Sequence, residues 1–117
     1  MAWQVVLCDE FEPEFDALPS PLQDELLAHL KVLEAKGPLL GRPLVDTLKG
    51  CTLTNLKELR FSWNNQPFRY LFAFDPKRSA IVLVGGSKAG DKRFYEKMIP
   101  VAEQRFAFHL KREGEKQ

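Results

Sequence analysis

The segment "LKELRFSWNNQPFRYLFAFD", from Leu56 to Asp75, constrains the fold more than any other part of the chain. Apolar and polar residues alternate in its first half, and aromatic residues occupy every second position over most of its second half. This period of two is typical of β-strands with one buried face, and asparagine and proline between the two halves indicate a turn. We therefore predict a β-hairpin with a four-residue loop from Asn64 to Pro67.

A loop of this length sets the register of the hairpin. It brings three apolar or aromatic pairs onto one face: Trp63 with Phe68, Phe61 with Tyr70, and Leu59 with Phe72. The opposite face receives Glu58, Arg60, Ser62 and Arg69, with the two arginines as diagonal neighbours. The sequence thus predicts that Tyr70 belongs to the core, whereas Arg60 and Arg69 lie outside it.

The run "AIVLVGG", from Ala80 to Gly86, is apolar at nearly every position, which is typical of a central strand covered on both faces. With Phe74 opposite Ala80, the same antiparallel register places Gly85 across from Arg69. A glycine beside an arginine leaves a shallow cleft into which a ligand backbone fits.

The first third of the chain predicts a strand over Trp3 to Cys8, one short helix, and a longer helix over Ser20 to Lys36. Ser20, Pro21 and Gln23 form a helix start signal with a capping box, and Gly37 with Pro38 ends the helix. A stripe of leucines at helical spacing is expected to pack on the aromatic face of the hairpin, away from the arginines: Leu22, Leu26, Leu30 and Leu33.

The segment from Pro38 to Asn55 shows neither period and predicts a long connection, with a turn of helix near Asp46. A final helix is predicted from Gly90 or Asp91 to about Lys111, kinked at Pro100. We therefore expect a single α+β domain over 1–117. Its antiparallel sheet has about four strands, with two N-terminal helices packed on it and a C-terminal helix.

Charge is distributed unevenly along the chain, although the net charge is only +1. Residues 1–37 carry eight acidic and two basic side chains, whereas residues 56–97 carry nine basic and four acidic ones. A basic half suits a polyanion such as nucleic acid, while a charge run without gathered geometry is a solvated face. The hairpin arginines and three cations near the start of the last helix form the predicted cluster: Arg60, Arg69, Lys88, Lys92 and Arg93.

Other function classes find little support in the sequence. No run reaches the roughly 18 apolar residues of a membrane span, so a cytoplasmic protein with no membrane partner is expected. Cys8 and Cys51, with His29 and His109, show no zinc or disulfide spacing. We therefore expect free thiols, exposed histidines without a role, and neither metal nor cofactor.

Three segments together resemble one family: "LKELRF", "PFRYLFAFDP" and "VGGSKAGDKRFYEKMIPVAEQRF". They are similar to the phage-derived, HigB-type branch of the RelE superfamily, the small toxins of type II toxin–antitoxin systems. The resemblance implies a RelE-like α+β fold and ribosome-dependent cleavage of mRNA in the ribosomal A site. It also implies inhibition by a cognate antitoxin, in this branch usually a helix-turn-helix protein.

The resemblance also implies site residues. Arg60 and Arg69 match strand arginines that contact RNA phosphate, Lys88 matches the basic residue that leaves the last strand, and Tyr95 is similar in place to a tyrosine at the cut site. These four are the predicted catalytic residues. Three further cations are predicted to bind RNA: Lys57, Lys92 and Arg93. Glu58 stands where related toxins often carry lysine, so the general base stays open among Lys88, Lys92, Tyr95 and His109.

Alternative interpretations rest on the same residues. Arg60 and Arg69 would pair with Glu58 and Asp75 if their face were merely exposed, and Tyr95 would pack with Phe94 if its role were structural. A non-catalytic nucleic-acid or ribosome-binding module would need the same cations. A phage-derived interaction domain that docks an acidic partner would also need them.

Overall fold

A computed structural model describes residues 3–49 and 56–115 of the chain. The described elements in chain order are β1 (Gln4–Leu7), α1 (Glu12–Asp16), α2 (Ser20–Lys36), β2 (Val45–Thr47), β3 (Leu56–Trp63), β4 (Gln66–Phe74), β5 (Ser79–Ser87) and α3 (Phe94–Glu115). One turn of 3-10 helix, Gly37–Leu39, follows α2. The α+β class is confirmed.

The five strands form one sheet in the order β1-β5-β4-β3-β2. The three long strands β3, β4 and β5 are antiparallel, as predicted, and β2 pairs antiparallel with β3. β1 pairs parallel with β5, which makes the sheet mixed. The prediction of about four antiparallel strands is therefore close, differing by the short strand β2 and the direction of β1.

The hairpin turn is tighter than predicted. Trp63 pairs with Gln66, so the loop contains only Asn64 and Asn65, with φ of 53° and 60°. Positive φ at both central residues is the backbone of a two-residue type I′ turn, which asparagine tolerates. The predicted four-residue loop is therefore wrong, and each predicted cross-strand pair is shifted by two residues. Because side chains alternate with period two, this shift leaves every residue on its predicted face.

A β-bulge changes the register between β4 and β5. Phe74 lies opposite Ala80 as predicted, but the pairing shifts between Leu71 and Phe72, where Leu83 is the extra residue of β5. The prediction that Gly85 faces Arg69 is therefore wrong: Gly86 lies across from Arg69. Gly85 lies opposite Tyr70, and a Cβ there would collide with the Tyr70 ring.

The N-terminal helices cover the aromatic face of the hairpin. His29 of α2 stacks on Phe61 with 4.7 Å between ring centroids, and Phe11 beside α1 meets the Tyr70 ring at 5.8 Å. All four predicted stripe leucines are buried: Leu22, Leu26, Leu30 and Leu33. His29 is thus a packing residue and not an exposed one.

Helix α2 has the predicted bounds but a different cap. The N-cap residue is Pro19, whose carbonyl oxygen accepts the amides of Leu22 and Gln23. The Gln23 side chain donates to the carbonyl oxygen of Phe15 at 2.9 Å and so ties α2 to α1. The predicted capping box at Ser20 is therefore wrong.

Helix α3 covers the opposite face of the sheet, against β4 and β5, and contains Pro100. Near its C-terminal end, His109 lies 3.2 Å from the Asp75 carboxylate, and only 11% of its side chain is exposed. The prediction of an exposed His109 without a role is wrong, because this histidine anchors α3 to the end of β4.

The predicted turn of helix near Asp46 is also wrong, because Asp46 is the central residue of strand β2. Three residues are too few for a period of two to be read from sequence. Cys8 is a free, buried thiol, whereas Cys51 lies outside the described residues. In the described part of the chain, every helix is too short or too polar to cross a membrane.

Candidate functional site

Arg60 and Arg69 lie directly opposite one another on β3 and β4, on the face that α3 partly covers. Like charges at directly opposed positions of a sheet destabilise it. Each guanidinium has a carboxylate beside it: Asp46 Oδ2 lies 4.0 Å from Arg60 Nη1, and Glu58 Oε1 lies 3.7 Å from Arg69 Nε. The alternative pairing of the arginines thus holds for Arg69 with Glu58, whereas Arg60 pairs with Asp46 and not with Asp75.

The two arginines differ in exposure. Arg69 is 9% exposed, and its Nη1 donates to the carbonyl oxygen of Phe68 at 2.9 Å. Its Nε is buried and makes no hydrogen bond within the described residues. The Arg60 side chain is 33% exposed. The site therefore combines one guanidinium fixed in the sheet with one that reaches solvent.

Glu58 links Arg69 to the first turn of α3. The Tyr95 hydroxyl donates to Glu58 Oε1 at 2.5 Å, and Glu58 itself is 6% exposed. Burial, followed by the hydrogen bond to Glu58, raises the pKa of Tyr95 to about 12. At neutral pH the phenol therefore stays protonated and acts as a hydrogen-bond donor.

Lys88 joins this group where β5 ends. Its amide donates to the carbonyl oxygen of Pro67 at 2.9 Å, and its Nζ lies 5.2 Å from the centre of the Tyr95 ring. This is within the range of a cation–π contact. Tyr95 also packs edge-on against Phe94, so both of its predicted roles, in the interface and at the site, are compatible with its position.

A shallow, open cleft of about 220 Å³ lies over the arginines, lined by Pro43, Arg60, Phe61, Ser62 and Arg69. Gly86 lies across from Arg69, and a Cβ added to Gly86 would meet no described atom within 4 Å. The predicted glycine beside an arginine therefore exists, but one residue further along β5. Space next to Arg69 is open to a ligand.

The three predicted RNA-binding cations neither line the cleft over the arginines nor take part in the hydrogen bond and ion pair of Glu58. Lys92 and Arg93 are exposed just before α3, where Arg93 pairs with Glu96 at 3.9 Å. Lys57 belongs to the other face of β3 by register, and its Nζ donates to Thr47 Oγ1 at 2.9 Å. The structure brings together Arg60, Arg69, Lys88 and Tyr95 but does not bring Lys57 to them.

Sequence reasoning named Glu58 as an ion-pair partner of the arginines but missed its contact with Tyr95, and it missed Asp46 altogether. The alternation of side chains along β3 places Glu58 on the arginine face, which the sequence could show. The contact between Glu58 and Tyr95 joins residues 37 positions apart, which the sequence could not show. Asp46 gave no signal because its strand was not predicted. In the described residues, no cluster of three or more His, Cys, Asp or Glu could hold a metal ion.

Two solved structures share this fold. A mutant of the E. coli toxin RelE in the free state, with two arginines replaced by alanine, matches with a TM-score of 0.62 and 15% identity, covering 90% of this chain and 98% of that one. The archaeal RelE–RelB complex from Pyrococcus horikoshii provides a match with a TM-score of 0.55 and 17% identity, covering 77% and 99%. The fold is therefore RelE-like.

Sequence comparisons identify the family within this fold. The family model described as "Phage derived protein Gp49-like (DUF891)" matches residues 13–107. The Mycobacterium tuberculosis protein named "Putative toxin HigB3" is 45% identical over 102 residues, which cover 86% of this chain and 88% of that protein. "Putative toxin HigB2" of the same organism is 48% identical over 87 residues, covering 73% and 43%. The chain therefore belongs to the phage-derived, Gp49-like family; its fold is RelE-like, and its relatives in Mycobacterium tuberculosis are named as putative HigB toxins.

Proposed function

We propose that this toxin is a ribosome-dependent mRNA endonuclease that inhibits translation. The observation that carries the proposal is the pair of arginines directly opposite one another under an open cleft, with a carboxylate and a phenol beside them. Opposed like charges cost stability, so their presence favours a role in binding an anion. The RelE-like fold and the toxin names of the relatives point the same way.

The proposed reaction needs charge stabilisation more than any other contribution. The 2′-hydroxyl oxygen of RNA forms a bond to the neighbouring phosphorus, the bond from phosphorus to the 5′-oxygen breaks, and negative charge builds on the phosphoryl oxygens. Guanidinium groups fixed in the sheet stabilise that charge and orient the phosphate for in-line attack. Arg60 and Arg69 take this role, so the proposed mechanism requires neither metal nor cofactor.

Proton transfer is assigned to the group around Glu58. This carboxylate accepts the 2′-hydroxyl proton, either directly or through the Tyr95 hydroxyl that donates to it. Tyr95 cannot be the base alone, because a phenol with a pKa of about 12 is protonated at neutral pH. Lys88, whose ammonium lies over the Tyr95 ring, protonates the departing 5′-oxygen.

The remaining cations are proposed to position the RNA. Lys92 and Arg93, exposed at the start of α3, contact the phosphate backbone of mRNA or of the ribosomal A site. Lys57 faces the other side of the sheet, so it would contact RNA only around the β2 edge. If the ribosome aligns the message, an intrinsically weak site is sufficient for cleavage.

We propose a cognate antitoxin as the inhibitor of this protein, in keeping with the neighbour solved as a RelE–RelB complex. A helix-turn-helix antitoxin is expected from the HigB-like branch. It would either cover the surface around Arg60, Arg69 and Lys88 or make the complex too large for the A site. Because translating ribosomes are cytoplasmic, the cytoplasm is the proposed site of action.

Inducible expression tests this function. We expect growth arrest, rescue by the neighbouring antitoxin gene, and cleavage sites on translated messages in primer extension. Glu58→Gln should lower the cleavage rate by about 10²–10⁴-fold, the usual contribution of a general base. Glu34→Gln is the matched control, because Glu34 is exposed on α2, on the other face of the sheet, and its removal should leave cleavage unchanged. RNA or ribosome binding without cleavage by the wild-type protein would favour the non-catalytic module instead.

A further inference from the structure

The Asp46 carboxylate lies between two guanidinium groups at the edge of the cleft. Asp46 Oδ2 accepts hydrogen bonds from Arg42 Nε at 3.2 Å and from Arg42 Nη2 at 2.9 Å, and it lies 4.0 Å from Arg60 Nη1. The hydrogen bond from Arg42 holds the pKa of Asp46 below its usual range. One carboxylate oxygen thus faces two cations.

The fold places this group beside the arginine pair. Asp46 lies opposite Glu58 in the β2–β3 register and so shares the face of Arg60. The amide of Arg60 donates to the carbonyl oxygen of Leu44 at 2.7 Å, which holds the segment before β2 against β3. Pro43, the neighbour of Arg42, forms one wall of the cleft. Arg42 is therefore positioned at the cleft entrance.

The contact between Arg42 and Asp46 is easily exchanged for another. The Arg42 side chain is 76% exposed, and exposed ion pairs contribute little to stability. A phosphate diester carries one negative charge and two free oxygens, and guanidinium forks bind such groups in the same bidentate manner as carboxylates. The position between Arg42 and Arg60 therefore suits a phosphate.

We propose that Arg42 and Arg60 form a clamp for a backbone phosphate of single-stranded RNA, next to the phosphate that is cleaved. Asp46 holds the two guanidinium groups in place in the free protein and competes with the incoming phosphate. Arg42 is thus a substrate-positioning residue that none of the sequence motifs indicated. The inference rests on the proposed function, because it assumes that RNA occupies the cleft.

Binding of a fluorescein-labelled, 2′-O-methylated oligouridine, which cannot be cleaved, measures the clamp directly. Fluorescence anisotropy over a salt series gives the slope of log K against log salt. Arg42→Gln should reduce the magnitude of this slope by about 0.7, the contribution of one phosphate contact on a single strand. Lys77→Gln is the matched control, because Lys77 is an exposed cation paired with Glu113 beyond the far end of β4. Its slope should equal that of the wild type.

The Asp46→Asn variant tests whether the Asp46 carboxylate competes with phosphate or only holds the structure together. If Asp46 competes with phosphate, this variant binds the oligonucleotide about 1.5- to 5-fold more tightly, the range expected for one exposed ion pair. Three results would each overturn the clamp. The first is an unchanged slope for Arg42→Gln, and the second is an equal reduction of the slope in Arg42→Gln and Lys77→Gln. The third is weaker binding of the oligonucleotide by Asp46→Asn. Cleavage of translated mRNA by the wild type is scored separately, so failure of the clamp is distinguishable from failure of the proposed function.

Discussion

The two faces of the β3–β4 hairpin are built by opposite rules. On one face, the Phe61 ring stacks against Phe68 and Tyr70, with 5.8 and 5.9 Å between ring centroids. On the other face, Arg60 opposes Arg69, and carboxylates compensate their charges. The aromatic face gains stability from burial, whereas the arginine face gives up stability to hold cations beside an open cleft. We therefore expect the aromatic face to contribute most to stability and the arginine face to hold the proposed binding site.

The two tyrosines of the chain sharpen this contrast. Tyr70 is 1% exposed on the aromatic face, and its hydroxyl has no hydrogen-bond partner within the described residues. The Tyr95 hydroxyl, on the arginine face, is bound to Glu58. The pKa of each phenol is raised to about 12, for Tyr70 by burial and for Tyr95 by burial together with Glu58. Burial thus raises the pKa on both faces, and a carboxylate adds to the shift only on the arginine face.

The largest expected effect on stability is on the aromatic side. Leu26→Ala should lower the free energy of unfolding by about 2–5 kcal/mol, because the side chain of Leu26, on the inner side of α2, is fully buried and its loss leaves a cavity. Leu27, its neighbour, is 44% exposed, so Leu27→Ala should change stability by less than about 0.5 kcal/mol. Urea unfolding of both variants measures the difference. Equal effects would contradict the assignment of folding to this face.

Alkaline titration tests the causes of the two raised pKa values. A phenol with a higher pKa in the folded state than in the unfolded state contributes stability below pH 10, and this is lost as pH rises from 10 to 12. Ultraviolet absorbance should therefore show little tyrosinate in the folded protein near pH 10. In a Tyr70→Phe background, Glu58→Gln should lower the pKa of Tyr95.

A matched variant completes this titration. In a Tyr95→Phe background, Glu58→Gln should leave the pKa of Tyr70 unchanged, because burial alone raises it. If Glu58→Gln shifted both phenols equally, the two faces would share one electrostatic environment, and the comparison would fail.

The smallest expected effects on the free energy of unfolding have opposite signs on the two faces. Tyr70→Phe should stabilise the protein by about 1 kcal/mol, because it removes a buried hydroxyl without a described partner. Tyr95→Phe should destabilise it by about 1–3 kcal/mol, since it takes a hydrogen bond from the buried Glu58 carboxylate. Thermal unfolding near pH 7 resolves both. The same sign for both variants would argue against the contrast.

The sequence predicted the faces of the hairpin better than its details. The alternation of side chains along each strand assigned Arg60 and Arg69 to one face and Tyr70 to the other. An error of two residues in the loop length leaves this assignment unchanged, because side chains alternate with a period of two. The tight Asn64–Asn65 turn was missed because four- and two-residue loops give the same alternation. The bulge at Leu83 was missed because an extra residue in a fully apolar strand leaves no trace in the pattern.

The arginines of the candidate site could be predicted from the sequence, but their partners from other elements could not. The strand arginines stood out because charge interrupted an aromatic pattern, and the bounds of α2 followed from its leucine spacing and terminal proline and glycine. Contacts made across the fold could not be derived in this way. Glu58 meets Tyr95, and Asp46 meets Arg60, only after the sheet and α3 have assembled.

Cleavage by the Arg60→Ala/Arg69→Ala variant tests the central claim most directly. Purified wild-type protein and variant would be added to ribosomes stalled with a defined codon in the A site, and single-turnover rates measured with and without ribosomes. Removing Arg69 leaves the buried Glu58 carboxylate without its cation, so the urea midpoint of the variant checks that it is folded. We expect ribosome-dependent cleavage by the wild type and at least a 10³-fold loss in the variant, since each lost charge-stabilising donor costs about 10²–10³-fold. Cleavage at the wild-type rate by the folded variant would contradict the assignment of the arginine face as the active site.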